Sequence, residues 1–130
     1  MYPTAGAHSG AKPPKAAPLQ IRRFCNPFNC EIYYWGDIDT HGFAMLNRLR
    51  TRFPQVRSIL MDHDTLLSHR SLWVQEDKPF RGTLLTLNPD ERALFDALVR
   101  NQHGDRIRLE QERIPFGRLR GVLENLPPAS

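Results

Sequence analysis

Two aspartates separated by one residue are the side chains of this sequence best suited to chemistry. Asp37 and Asp39 come soon after the mainly aromatic run 31–35, which is closed by Gly36. Side chains two positions apart on an extended backbone point the same way, so the two carboxylates would converge on one point. Like charges held that close either raise one pKa or recruit a cation, and hard oxygen ligands favour Mg²⁺ or Mn²⁺. The spacing predicts a divalent-metal site.

A second pair, Asp62 and Asp64, follows the apolar run 56–61 in the same relation. If the two runs are adjacent parallel strands, both acidic pairs lie at one edge of the sheet, where open α/β sheets place their sites. An alternative stays open for each pair, because an aspartate after a strand also caps the helix that follows it. We predict Asp62 as a further metal ligand and Asp64 as a second-tier candidate for the site.

Other residues near these pairs are weaker candidates. Glu110 and Glu112 fall in an alternating run and could join the same edge, although an alternating strand also carries charges on its solvated face. Histidine beside an acidic cluster can act as a base, and His41 is the first candidate for that role. Arginine suits phosphate, and Arg48 and Arg52 lie on the polar face of the helix predicted after the first acidic pair.

Apolar patterning predicts an α/β fold around these residues. The run 31–35 is a buried strand, 43–53 an amphipathic helix and 56–61 a second strand, an order that gives a right-handed parallel crossover. The sheet is expected to be small and mostly parallel, with flanking helices, as in a partial Rossmann-like domain. The later predicted elements are a short helix within 62–73, a helix from Asn88 to about Asn101 with Ala93, Leu94, Ala97 and Leu98 as its buried stripe, a strand over 106–112 and a helix over 116–126.

Length, charge and composition limit the class of protein. With 130 residues the chain is long enough for one domain, and no apolar run is long enough to cross a membrane or to form a signal peptide. The expected compartment is the cytoplasm. All 14 acidic residues lie at or after Glu31, so the net charge of +4 comes from the amino-terminal segment. We predict a disordered or irregular leader at 1–30, with 21–29 as its irregular lead-in, a domain at 31–126 and a tail at 127–130.

The run IYYWGDIDTHGFAMLNRLR, followed by SILMDHDTLL and RLEQERIPFGRLR, resembles a known family. It is similar to the carboxyl-terminal TOPRIM-like domain of JetD, the nuclease subunit of Wadjet plasmid-defence systems, over about residues 31–126. The resemblance implies an endonuclease for double-stranded DNA that depends on Mg²⁺ or Mn²⁺, with Asp37 and Asp39 holding the metal. It also implies SMC-like subunits of the defence complex as partners, with a homodimer as a candidate assembly and no membrane.

A catalytic glutamate is expected in this family on an earlier strand, and the sequence has no counterpart because Glu31 is its first acidic residue. The resemblance therefore implies an amino-terminally truncated nuclease domain with little activity of its own. The alternative is a catalytically inactive module that binds DNA or partner subunits. A phosphatase of the haloacid dehalogenase class also carries an acidic pair after a strand, but His41 stands where its pattern wants threonine or valine.

Overall fold

The computed structural model describes residues 19–26 and 29–126, with side-chain surroundings from residue 31 onward. A three-stranded sheet in the order β1-β2-β3 positions the first acidic pair. Its strands are β1 (Leu19–Asn26), β2 (Asn29–Trp35) and β3 (Arg57–Ser58). Helix α1 (Thr40–Arg52) connects β2 to β3, which run parallel, so the predicted α/β class and the parallel strand–helix–strand order are confirmed, and the right-handed sense of the crossover stays a prediction. Parallel pairing among the described strands is limited to β2 and β3.

Strand β1 replaces the irregular lead-in that the sequence pattern predicted for 21–29. It runs antiparallel to β2, with Leu19 opposite Trp35 and Arg23 opposite Glu31. The prediction is wrong because a neighbouring strand supplies backbone hydrogen bonds that do not require a strict apolar alternation. Residues 1–18 and 127–130 lie outside the described part of the chain, so the predicted disorder of the leader and the tail stays a prediction.

A second, two-stranded sheet holds the later part of the site. Strands β4 (Val74–Gln75) and β5 (Ile107–Arg108) pair antiparallel, although the sequence predicted a single long strand over 106–112. That strand ends early because the chain turns into a short 3₁₀ helix, so Glu110 and Glu112 do not lie on a strand. The other helices are α2 (His63–Ser68), α3 (Pro89–Val99) and α4 (Phe116–Glu124), with a 3₁₀ turn at Arg70–Leu72.

Helix α3 begins as its sequence predicts. The Asn88 side chain accepts from the Glu91 backbone N–H at 2.8 Å, and Glu91 Oε1 accepts from the Asn88 N–H at 2.9 Å, which is a complete capping box. In the predicted stripe, Ala93 is exposed and Phe95 is buried in its stead. The side chain of Phe95 meets Phe43 of α1 edge to face, with 6.1 Å between the ring centroids.

The core lies between β2 and the helices and reaches across to β5. None of the described helices combines the length and apolar character that crossing a membrane requires. The fully buried large side chains of this core are Tyr34, Ile38, Phe43, Leu46, Leu66, Leu94, Leu109 and Leu119.

Candidate active site

Asp39 is fully buried at the start of α1. Its Oδ1 accepts from the Gly42 backbone N–H at 2.5 Å, so the carboxylate caps the helix. Its Oδ2 accepts from Arg108 Nε at 2.7 Å, a buried ion pair across 69 positions of sequence. The capping role left open by the sequence is confirmed, and an arginine that the sequence did not single out shares the same carboxylate.

Asp37 is also buried, and its Oδ1 accepts from the Gln111 backbone N–H at 2.7 Å. Between the two aspartates, Ile38 exchanges two backbone hydrogen bonds with Leu109, at 2.9 and 3.0 Å. Both carboxylates therefore face the segment 108–111, and the backbone that carries them is fixed to it. The sequence predicted that the two side chains converge, and the structure brings them against one common segment.

The first turn of α1 comes close to the loop that carries the aspartates. A Cβ at Gly42 would overlap the carbonyl oxygen of Asp37, so this position requires glycine. The Tyr34 hydroxyl donates to the Gly42 carbonyl at 3.1 Å. Burial, and then the negative charges of Asp39 and Asp37, raise the pKa of Tyr34 far above its ordinary value. The phenol therefore stays protonated and holds the turn as a hydrogen-bond donor.

Glu76 is a third buried carboxylate at this place, and the sequence analysis did not single it out. Its Oε1 accepts from Thr40 Oγ1 at 2.8 Å and from the Thr40 N–H at 3.3 Å, while Oε2 accepts from the His41 N–H at 3.1 Å. The carboxylate thus satisfies free N–H groups at the positive end of α1. No local pattern marks Glu76, because its partners lie about 36 positions earlier in the chain.

Arg108 lies among all three carboxylates. Burial is the largest single influence and disfavours its charged form. The hydrogen bond and charge of Asp39, with the charges of Glu76 and Asp37, outweigh that influence and raise the pKa of Arg108. Three buried carboxylates therefore act on this one guanidinium. We call Asp37, Asp39, Glu76 and Arg108 the carboxylate cluster.

The second acidic pair plays a different part. Asp62 is exposed, and its Oδ1 accepts from the Thr65 N–H at 2.8 Å, which caps α2. Asp64 is exposed and lies 3.7 Å from Arg118. Among the described residues, no three acidic, histidine or cysteine side chains are arranged to hold a metal ion together. The assignment of Asp37, Asp39 and Asp62 as metal ligands stays a prediction.

The remaining candidates lie at the surface. Glu110 pairs with Arg113 at 3.7 Å, and Glu112 is exposed in the 3₁₀ turn. The His41 ring is exposed, with Nε2 2.6 Å from the Lys78 carbonyl oxygen and its ring edge against Phe80. The two candidate phosphate-binding side chains, Arg48 and Arg52, are exposed one turn apart on α1.

The chemistry of the donor set fits a hard divalent cation. Carboxylate oxygens are the ligands that Mg²⁺ and Mn²⁺ prefer, and the cluster brings three buried carboxylates around Arg108. Asp37 and Asp39 would hold such a cation. Since Asp39 Oδ1 caps α1, Oδ2 is the oxygen of that residue which the cation needs, and Arg108 donates to it.

The family model described as "Wadjet protein JetD, C-terminal" matches residues 17–123 of the chain. The matched region begins two residues before β1 and includes every member of the carboxylate cluster. No curated protein matches the chain. The family resemblance of the sequence is confirmed, and its TOPRIM-like character stays a prediction.

Proposed function

The chain belongs to the family of the JetD carboxyl-terminal domain, and we propose that its Asp37–Asp39 loop holds a divalent cation for the cleavage of DNA phosphodiester bonds. The observation that supports this most directly is that Asp37 and Asp39 are both buried and both face the segment 108–111. Carboxylates held close together favour a cation between them. A bound Mg²⁺ or Mn²⁺ would polarise the scissile phosphate and activate a water molecule.

The protein's own residues hold the two metal-binding carboxylates still. Asp39 is fixed by the cap of α1 and Asp37 by the Gln111 N–H, while the Ile38–Leu109 hydrogen bonds hold the backbone between them. Such preorganisation matters because a site must present its charges without rearranging during the reaction. Rigidity of this loop therefore favours a catalytic role over that of a plain surface turn.

Substrate binding would come from the solvent face of α1. Arg48 and Arg52 are both exposed and lie four positions apart, so their guanidinium groups project from one side of the helix. Contacts of this kind bind the phosphate backbone without reading its sequence, and they weaken as salt rises. We propose double-stranded DNA as the substrate. We also propose SMC-like subunits of a Wadjet plasmid-defence complex as partners in the cytoplasm, with a homodimer as a candidate assembly.

Calorimetric titration with Mn²⁺ tests the metal site. We expect the wild-type chain to bind Mn²⁺ in about the millimolar range, which is the weak end for oxygen sites, and the double variant D37N/D39N to lose that binding. Both substitutions retain a side-chain oxygen that can accept the hydrogen bonds from Gln111 and Gly42. The matched control is D105N, which removes an exposed carboxylate. Equal binding by the double variant would show that the cation binds elsewhere.

Cleavage of supercoiled plasmid in Mn²⁺ tests the reaction. We expect at most slow cutting by the wild-type chain and D105N, in keeping with the little activity that the family resemblance implies for this chain alone, and none by D37N. Cutting that survives D37N would remove the loop from the reaction. If the wild-type chain binds Mn²⁺ but does not cut, the proposal of cleavage fails for this chain and the metal site remains.

A non-catalytic module is the second candidate function. Asp39 is already engaged by both a helix cap and an arginine, and no three-ligand metal cluster is present among the residues from 29 to 126. Such a module would retard DNA in a gel without cutting it. We expect R48E/R52E to abolish that retardation and D37N to leave it unchanged.

A further inference from the structure

The two partners of the Arg108–Asp39 ion pair differ in exposure. The Asp39 side chain is 0% exposed, whereas the Arg108 side chain is 18% exposed. Arg108 is therefore the member that reaches solvent and can leave the pair by turning outward. The Asp39 side chain cannot turn outward with Arg108, because its Oδ1 accepts the hydrogen bond that caps α1.

A cation bound at Asp39 would compete with Arg108 for the same carboxylate oxygen. The oxygen that the cap leaves for a cation is Oδ2, and Arg108 Nε donates to it at 2.7 Å. A divalent cation within bonding distance of the same oxygen would stand only a few ångströms from the guanidinium. Two cations that close repel each other strongly where water is largely excluded. Occupation of Oδ2 by one of them therefore disfavours the other.

We infer that Arg108 is a displaceable internal cation: it pairs with Asp39 Oδ2 when no metal is bound, and a divalent metal at Asp37 and Asp39 replaces it there. The inference rests on the proposed function and adds to it how the site is regulated. Arg108 keeps its charge throughout, since only its position changes. The released guanidinium would lie beside the metal, where it offers a second positive group to a phosphate only after the metal has bound.

Mn²⁺ titration of Arg108 variants tests the competition. We expect R108Q to bind Mn²⁺ at least about 10-fold more tightly than the wild-type chain, and R108K to lie between them because lysine keeps the charge but loses the planar fork. The matched control is R106Q. Arg106 lies two residues away and donates to the carbonyl oxygens of Glu76 and Asp77 rather than to a carboxylate of the cluster. We expect R106Q to bind like the wild type.

Thermal unfolding gives a readout that is independent of activity. Without metal, R108Q removes the guanidinium that donates to the buried Asp39 carboxylate, so its midpoint should fall below that of R106Q. Saturating Mn²⁺ should raise the midpoint of R108Q by more than that of the wild type, because a ligand that binds only the folded state stabilises it in proportion to its affinity.

A measurement on the unaltered chain covers the case in which R108Q does not fold. Nitrogen-15 NMR of arginine Nε–H groups follows Arg108 directly, and Arg50 is an internal control because its Nε donates to the Val56 carbonyl away from the cluster. We expect Mg²⁺ to shift the Arg108 signal and to leave that of Arg50 in place.

The outcomes separate the two proposals. Equal or weaker Mn²⁺ binding by R108Q, or an unchanged Arg108 signal at saturating Mg²⁺, would overturn the displacement while the metal site stands. No metal binding by either the wild type or R108Q would overturn the proposed metal site, and the displacement would fall with it.

Discussion

Two buried arginine–carboxylate arrangements of this protein differ in the number of carboxylates that act on the arginine. In the first, the Arg50 guanidinium donates to both oxygens of Glu91, at 2.6 and 3.0 Å, and Ser58 Oγ adds a hydrogen bond of 2.5 Å. One guanidinium there faces one carboxylate. In the second, the carboxylate cluster, Arg108 faces the charges of Asp39, Glu76 and Asp37.

The balanced arrangement is explained by the fold alone. Arg50 also donates to the carbonyl oxygens of Val56 and Thr86, so it ties α1 to the start of β3 and to the approach to α3. Burial is the largest influence on Glu91 and would raise its pKa. The hydrogen bonds from Arg50, Ser58 and Asn88, with the charge of Arg50, outweigh it and lower that pKa. Removing one partner of a buried pair is strongly destabilising, whereas several carboxylates gathered at one place are more typical of a functional site.

The largest expected effect comes from breaking the balanced pair. We expect E91A to lower the free energy of unfolding by about 3–5 kcal/mol, because it leaves the Arg50 charge buried and removes the capping box. The exposed pair of Arg106 and Asp105 is the control, and D105A should cost less than about 1 kcal/mol. Urea unfolding measures both. A loss of similar size in the two variants would remove the distinction between buried and exposed pairs.

The pH dependence of the same pair sharpens the prediction. The pKa of Glu91 in the folded protein lies below its ordinary value of 4.5, so the stabilisation is present above pH 4.5 and is lost as the pH falls through the lower folded value. E91Q should lack this loss. Unfolding of both proteins across the acid range measures the difference.

A smaller effect of opposite sign is expected in the carboxylate cluster. D37N removes one of the three carboxylate charges that act on Arg108 and keeps an oxygen that accepts from the Gln111 N–H. We expect it to raise the free energy of unfolding by about 1 kcal/mol in the absence of metal, as substitutions at functional sites often do. Chemical unfolding in EDTA measures this. A loss as large as that of E91A would show that the cluster serves the fold as the balanced pair does.

The smallest expected effect concerns His103, which lies near two other basic side chains, His63 and Arg70. The ring centroids of His63 and His103 are 5.5 Å apart. Burial, and then the charges of His63 and Arg70, lower the pKa of His103 below its ordinary 6.5. The contribution of His103 to stability is therefore fully present above pH 6.5 and is lost as the pH falls below that value, because the unfolded chain binds the proton more readily. H103Q should reduce that fall between pH 7 and 5 in thermal unfolding, and an identical pH profile would contradict the prediction.

The parts of the structure that sequence could predict depend on neighbours within one helical turn. Asn88 and Glu91 are three positions apart and form the predicted capping box. Asp39 caps α1 and Asp62 caps α2, as predicted by the alternative interpretation of each acidic pair as a helix cap. Such hydrogen bonds follow from residue type and spacing, because the backbone itself sets the geometry.

The parts that sequence did not predict depend on distant segments. Arg108 meets Asp39 across 69 positions and Glu76 meets Thr40 across 36, and no local pattern encodes either distance. The same holds for β1, whose backbone pairs with β2 without a clear alternation of its own. The spacing of Asp37 and Asp39 made them recognisable in the sequence. No sequence pattern identified Arg108 as a partner of Asp39.

The long sequence separation between the aspartates and their partners also has a consequence while the ribosome synthesises the chain. Arg108 and Gln111 follow the residues they contact by 69 and 74 positions. At the usual 5–20 residues per second, a ribosome needs roughly 4–15 s to add them. During that interval the two aspartates lack the hydrogen bonds that Arg108 and Gln111 donate to them. The loop that carries the aspartates therefore gains its contacts with the segment 108–111 only after most of the chain has been synthesised.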